Sequence, residues 1–230
     1  MSLIFIRHGE STGNVVGQDE RAGWDIPNHA YPLTDRGRQQ ARFAGQYLME
    51  RFGTNYFHST TVTDSDFLRS QETLDEIVGI VPVFESNRFR DSRLNEKWDG
   101  IFHDLTKAEL EEKYKDQINL RKRTGYYLYR APGGESCPDV EERVRSFIRD
   151  YWDIAVNQRL LVSGHGRWFL VFQKVVHRWT VEEFLERKKK DECANCMVAY
   201  YSQEALLKRQ PPECSVPWRG KLAEAETDFA

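Results

Sequence analysis

The chain is short of most features that would commit it to a special environment. Four cysteines in 230 residues (Cys137, Cys193, Cys196 and Cys214) are too sparse for a disulfide framework, so reduced thiols are expected. No apolar run approaches the roughly 18 residues of a membrane span. The one that opens the chain is a few residues long with no basic segment before it, and it reads as neither a signal peptide nor an anchor. Charge of one sign is lacking too: a formal net charge of −3 gives no general pull toward nucleic acid or anionic membranes, so any attraction for an anion must be local. Fixed-period repeats, low-complexity stretches and a linker between separable domains are absent. The simplest expectation is a cytoplasmic globular protein with no nucleic-acid or membrane partner. Its 40% hydrophobic and 30% charged residues agree with that.

The stretch that organises the rest is Leu3-Ile4-Phe5-Ile6-Arg7-His8-Gly9-Glu10-Ser11-Thr12-Gly13-Asn14. A short apolar run ending in a Gly-rich polar turn predicts a buried strand that delivers Arg7 and His8 to a loop at its C-terminal end. Residues 17–32 mix Gly, Pro, Asn and aromatics without a period and read as an ordered loop. Thr34 is placed to cap a helix running to about Phe52 and stopped by Gly53. Tyr56 to Val62 reads as a second strand. The Thr63-Asp64-Ser65 that follows supplies N-cap types for a helix from about Asp66, with Arg69 in its first turn. Val81 to Phe84 is a further strand candidate.

From about residue 87 to 134 the composition turns strongly charged, with a capping box at Thr106 to Glu109, and reads as a cap inserted over the sheet edge. An amphipathic helix is predicted from Asp139 to about Asn157, with Glu135 read as its cap. Leu160-Leu161-Val162-Ser163 is then a strand, followed by Gly164-His165-Gly166 and a helix from about Arg167 to His177. A helix opens at Thr180-Val181-Glu182-Glu183, and Asn195 to Tyr201 is expected as the last strand. Alternating strands and helices imply an α/β fold: a three-layer αβα sandwich on a mainly parallel sheet, one domain over residues 1–209. Residues 210–230, with three prolines and an acidic end, read as a surface arm or a disordered tail.

Arg7, His8, Arg69 and His165 all fall at C-terminal strand ends or at the helix starts after them. In a mainly parallel sheet these share one edge, where ligands bind. Guanidiniums bind phosphoryl oxygens bidentately, and an imidazole donates from N–H or attacks through its free nitrogen. The set suits a phosphoryl group.

Arg7-His8-Gly9-Glu10-Ser11 with Asn14, the Arg69 helix start and Ser163-Gly164-His165-Gly166 together resemble the histidine phosphatase superfamily, branch 1, with its phosphoglycerate mutase-like fold. Residues 32–41 and 132–136 also resemble family segments. The resemblance implies that His8 is a nucleophile forming a phosphohistidine, held by Arg7, Arg69 and His165, with Asn14 and Gly166 contacting substrate. No metal or cofactor is called for, because the cations can stabilise the phosphoryl oxygens. The leaving oxygen needs a proton from a carboxylic acid kept protonated by its surroundings. The family's acid commonly lies in the inserted segment, and the resemblance of Arg93-Leu94-Asn95-Glu96-Lys97-Trp98-Asp99-Gly100 to that motif points to Glu96, with Glu10 as the local competitor.

The expected activity is that of a phosphomonoesterase on a phosphorylated small molecule, or on a phosphopeptide. Phosphoglycerate mutase is the alternative: the loop with Gly23-Trp24-Asp25 partly resembles mutases, whereas the cap departs from theirs. A non-catalytic phospho-ligand module on the same fold is the second alternative, set back by every catalytic position being filled. His29, His58, His103 and His177 are read as structural, Arg187 to Lys190 as a solvated helix end, and Cys193-Ala194-Asn195-Cys196 as ordinary thiols and not half a zinc site. Trp24, Tyr31, Trp98, Phe102, Tyr126 and Tyr127 serve either a ring-bearing leaving group or the core of the cap. Oligomeric state is open.

Overall fold

The computed structural model describes residues 2–190 and 193–219. Strand β1 (Ser2–Arg7) lies inside a six-stranded sheet with β2 (Thr60–Asp64), β3 (Arg88–Arg90), β4 (Arg159–Gly164), β5 (Val198–Ser202) and β6 (Glu213–Ser215). The order is β3-β2-β4-β1-β5-β6. The first four strands in that order run parallel, while β5 is antiparallel to β1 and β6 to β5. Register sets Arg7 opposite Gly164, so the His8 and His165 loops leave the sheet side by side.

Alternation along β1 feeds two cores. Leu3 and Phe5 face the helices Cys137–Asn157 and Gly166–His177, while Ile4 and Ile6 face Asp35–Phe52 and Leu68–Val78. A strand buried on both faces is why its sequence is a continuous apolar run. Phe5 stacks on Phe169 with centroids 4.1 Å apart, fixing the helix that begins beside His165. Helix Asp35–Phe52 forms as expected: the Thr34 hydroxyl accepts from the Gly37 amide at 3.0 Å, and the helix stops at Gly53 with φ of +71°. Its Ala41, Ala44 and Leu48 are fully buried.

Several local readings shift. Tyr56 and Phe57 lie in a helical turn, Thr54–Phe57, and the second strand begins only at Thr60. The aromatics that suggested a strand pack into the core instead, Tyr56 stacking on Phe52 at 4.5 Å. Residues 81–84 are not a strand. The sheet edge is the three-residue β3, whose Arg88 and Arg90 pair with buried Asp64 of β2 at 3.2 and 3.4 Å. Charge on a short edge discourages further pairing.

The cap over 87–134 therefore starts within the sheet. It continues through Lys107–Lys113, opened by the expected Thr106–Glu109 capping box, and Lys115–Thr124. It returns where Asp99 bridges Gly134. Ser136, not Glu135, caps the next helix, with Asp139 reciprocating. Glu135 accepts the Trp98 amide and pairs with Arg143, tying the cap to that helix. The predicted surface arm is corrected in part, since residues 213–215 extend the sheet as β6; residues 220–230 of it lie outside the described residues. Among the described residues no helix is long and apolar enough to cross a membrane.

Candidate active site

The loop after β1 is clamped from below. A Cβ on Gly37 would stand 2.0 Å from the Glu10 carbonyl oxygen and one on Gly9 2.5 Å from the Gly37 oxygen, so the loop rests directly on the first turn of helix Asp35–Phe52. The Gly9 amide donates to Thr73 Oγ1 (2.9 Å), and the Glu10 amide to Gln40 Oε1 (2.9 Å). Glu10 turns its carboxylate to the Thr34 hydroxyl at 2.9 Å, which occupies the local competitor for the acid role elsewhere.

His8 is 3% exposed. Its Nδ1 lies 2.7 Å from the Gly9 carbonyl, which can only accept, so Nδ1 carries the proton and Nε2 keeps a lone pair. Arg69 Nε donates to that Nε2 at 3.3 Å. Burial first, then the Arg69 and Arg7 guanidiniums, hold His8 well below the usual imidazole range, and the backbone bond to Gly9 only partly opposes this. The ring is a neutral imidazole beside two cations.

Arg69 is itself buried, its Nη1 anchored on the Asn28 carbonyl at 2.7 Å and its guanidinium lying 4.7 Å from the Phe67 ring. Burial lowers it to about 10, with Glu96 opposing and Arg167 and Arg7 adding to the shift. Arg7 donates Nη1 to the Cys193 carbonyl, while its Nε is buried without a protein partner. Cys196 is buried at φ of +47° and gives its amide to the Arg7 carbonyl, so the C-x-x-C segment frames Arg7 through its backbone.

His165 is fully buried, its ring centroid 5.1 Å from that of His8. Burial, then Arg69 and His8, hold it well below the imidazole range. Its Nε2 meets Ser65 Oγ at 2.7 Å, and its Nδ1 has no partner. Gly166 opens the next helix with room for Arg7, whose Nε would lie 3.5 Å from a Cβ there.

Arg7, His8, Asn14, Arg69, Glu96 and Gly166 line one cavity of about 1160 Å³, and His165 abuts it through His8. Asn14 Oδ1 accepts from the Ser11 amide (3.0 Å) and hydroxyl (3.1 Å), which ties it to its own loop. Glu96 is 8% exposed; its Oε1 takes the Lys97 amide at 2.8 Å, and its Oε2 stands 3.7 Å from Arg167 Nε. Arg167 is shared with Asp99, which also pairs with Lys97 at 3.2 Å. Burial favours the neutral acid of Asp99, but Arg167 and Lys97 outweigh it and hold the carboxylate below its usual range.

Sequence reasoning missed Ser65, Asn28, Asp99 and Arg167. Ser65 was visible only as an N-cap type. In the structure its helix starts two residues later than expected, at Leu68, and the hydroxyl serves the Phe67 amide and His165.

The geometry is that of a neutral buried imidazole bonded by the Arg69 guanidinium, with Arg7 and a second buried imidazole beside it, in a cavity that the buried Glu96 also lines. Comparison with known proteins agrees: residues 3–210 match the family model of the histidine phosphatase superfamily (branch 1). The phosphoglycerate mutase-like protein AT74H of Arabidopsis thaliana is 31% identical over 209 residues, covering 79% of this chain and 68% of that protein. A 2,3-bisphosphoglycerate-dependent phosphoglycerate mutase of Azorhizobium caulinodans is 28% identical over 190 residues, covering 81% and 86%. The alpha-ribazole phosphatase of Shigella flexneri shares the fold, with a TM-score of 0.67 at 19% identity over 88% of this chain and 90% of that one.

Proposed function

Because the chain belongs to the histidine phosphatase superfamily (branch 1), we propose that it is a phosphomonoesterase working through a covalent phosphohistidine on His8. One observation carries the reading. The Nε2 lone pair of a neutral, buried His8 takes a bond from Arg69; the His165 ring, its Nδ1 unpartnered, lies 5.1 Å away, and Arg7, its Nε unpartnered too, lines the same cavity. These donors await an anion that would satisfy them together.

In the first step Nε2 attacks phosphorus as the bond to the leaving oxygen breaks. The Glu96 carboxyl gives that oxygen its proton. Arg69 exchanges its bond to Nε2 for one to a phosphoryl oxygen, and Arg7 and His165 take the others. In the second step water attacks phosphorus, the P–N bond breaks, and the Glu96 carboxylate accepts the proton of the water. The guanidiniums supply the positive charge that the equatorial oxygens require, so the reaction is assigned without a metal or cofactor.

Hydrolysis is preferred to mutase transfer because water has access. The cavity runs from His8 to the exposed Arg187, Arg209 and Pro211, whereas a mutase must shield its phosphohistidine. The substrate class is a phosphorylated small molecule. The likeness to an alpha-ribazole phosphatase supports this, and the likeness to phosphoglycerate mutases keeps phosphoglycerate as the alternative.

Phosphate release from p-nitrophenyl phosphate tests the proposal. Wild type should turn over, and His8→Ala should fall to the uncatalysed rate. Equal rates for the two would end the hydrolase reading, and efficient interconversion of 3- and 2-phosphoglycerate by 31P NMR would replace it with a mutase.

A further inference from the structure

We propose that Ser65 is a positioning residue that fixes His165 as the Nδ1–H tautomer, so that the ring presents a donor and not a lone pair to the transferring phosphoryl group. This rests on the phosphohistidine reading above. Ser65 is wholly buried at the end of β2, and its hydroxyl has two neighbours. The Phe67 amide donates to Oγ at 3.2 Å, which uses the oxygen as acceptor. His165 Nε2 stands 2.7 Å away, and among the described residues it is the one group in contact that can take the hydroxyl proton.

If Nε2 carried the hydrogen instead, the Ser65 proton would be buried without an acceptor, which is costly. The arrangement that leaves fewest groups unpaired has Ser65 O–H donating to Nε2 and the remaining ring proton on Nδ1, whereas the other tautomer strands both the Ser65 proton and the Nδ1 lone pair. That nitrogen is the one with no partner in a fully buried residue 5.1 Å from the nucleophile ring. The Phe67 ring packs against the imidazole in a T-shaped contact with centroids 4.9 Å apart.

A phosphoryl oxygen can only accept, so tautomer choice decides between attraction and repulsion at this position. Neutral imidazole in water favours Nε2–H, the wrong form here. The Ser65 bond reverses that preference without requiring a second positive charge beside Arg69.

Long-range 1H–15N correlation on the free protein reads the tautomer directly, independently of turnover. His165 should show a protonated Nδ1 and a pyridine-like Nε2, and a protonated Nε2 in the neutral ring would overturn the proposal even if no variant folds. In Ser65→Ala the Nδ1–H signature should be lost. kcat for p-nitrophenyl phosphate and orthovanadate affinity should each fall on the order of tenfold, the scale of one lost buried hydrogen bond. Ser65→Cys, which keeps a weak donor, should recover part of both. Unchanged vanadate affinity and an unchanged tautomer in a folded Ser65→Ala would refute the role. Lack of turnover by wild type would instead strike the phosphatase reading and leave the tautomer assignment standing.

Discussion

Replacing Arg69 by methionine keeps most of the aliphatic stem while removing the guanidinium that lies over Phe67 and donates to His8 Nε2 at 3.3 Å. Two consequences follow. The Arg69 guanidinium disfavours the charged ring and stands second only to burial among the causes that hold His8 low, with Arg7 adding its own part. The sign is fixed. A lowered imidazole stays neutral to more acid pH, so the variant's His8 should take its proton at a higher pH than wild type, while burial and Arg7 still hold it below the usual imidazole range.

An NMR titration of His8 in the free protein reads this without interference from ionisation of the substrate. The second consequence is catalytic. Loss of a preorganised donor to the phosphoryl oxygens should lower kcat on the order of 100- to 1000-fold. The melting temperature should change little, because the folded site disfavours this buried charge, as its lowering to about 10 records. If His8 in a folded Arg69→Met titrates at the same pH as wild type or lower, the electrostatic account of the nucleophile fails.

The acid assignment has its own test. Glu96→Gln should lower kcat/KM for an alkyl phosphate far more than for p-nitrophenyl phosphate, whose leaving group needs little protonation; equal losses on both substrates would send the acid role elsewhere. The seat of the catalytic loop is tested by Gly37→Ala. Its Cβ would fall 2.0 Å from the Glu10 carbonyl, so the loop must lift. A destabilisation of about 1–3 kcal/mol in urea melts should accompany loss of activity, and a fully active, equally stable variant would contradict the close packing.

Much of the site was legible because its signals are local. A double-sided apolar strand ending at His8, the Arg69 helix start and the strand before His165 each declare themselves within a dozen residues. Parallel topology then requires those ends to share an edge. The Thr34 and Thr106 caps were readable for the same reason. Where local signals competed the reading slipped. Tyr56 and Phe57 carry strand propensity but bury their rings from a helical turn, and Glu135 sits beside a cap position that Ser136 takes.

What the sequence by itself determined is therefore the order of elements and the kinds of groups delivered to the sheet edge. What only the tertiary structure decided is how those groups are held. It settled which nitrogen of His8 is free, that Asn28 and Cys193 supply the carbonyls anchoring Arg69 and Arg7, that Arg167 is divided between Glu96 and Asp99, and that Ser65 answers to His165. These contacts join residues 41, 186, 71 and 100 positions apart. Propensity and periodicity act within a few residues, and a hydrogen bond's direction is chosen by whatever donors and acceptors the completed packing brings to it.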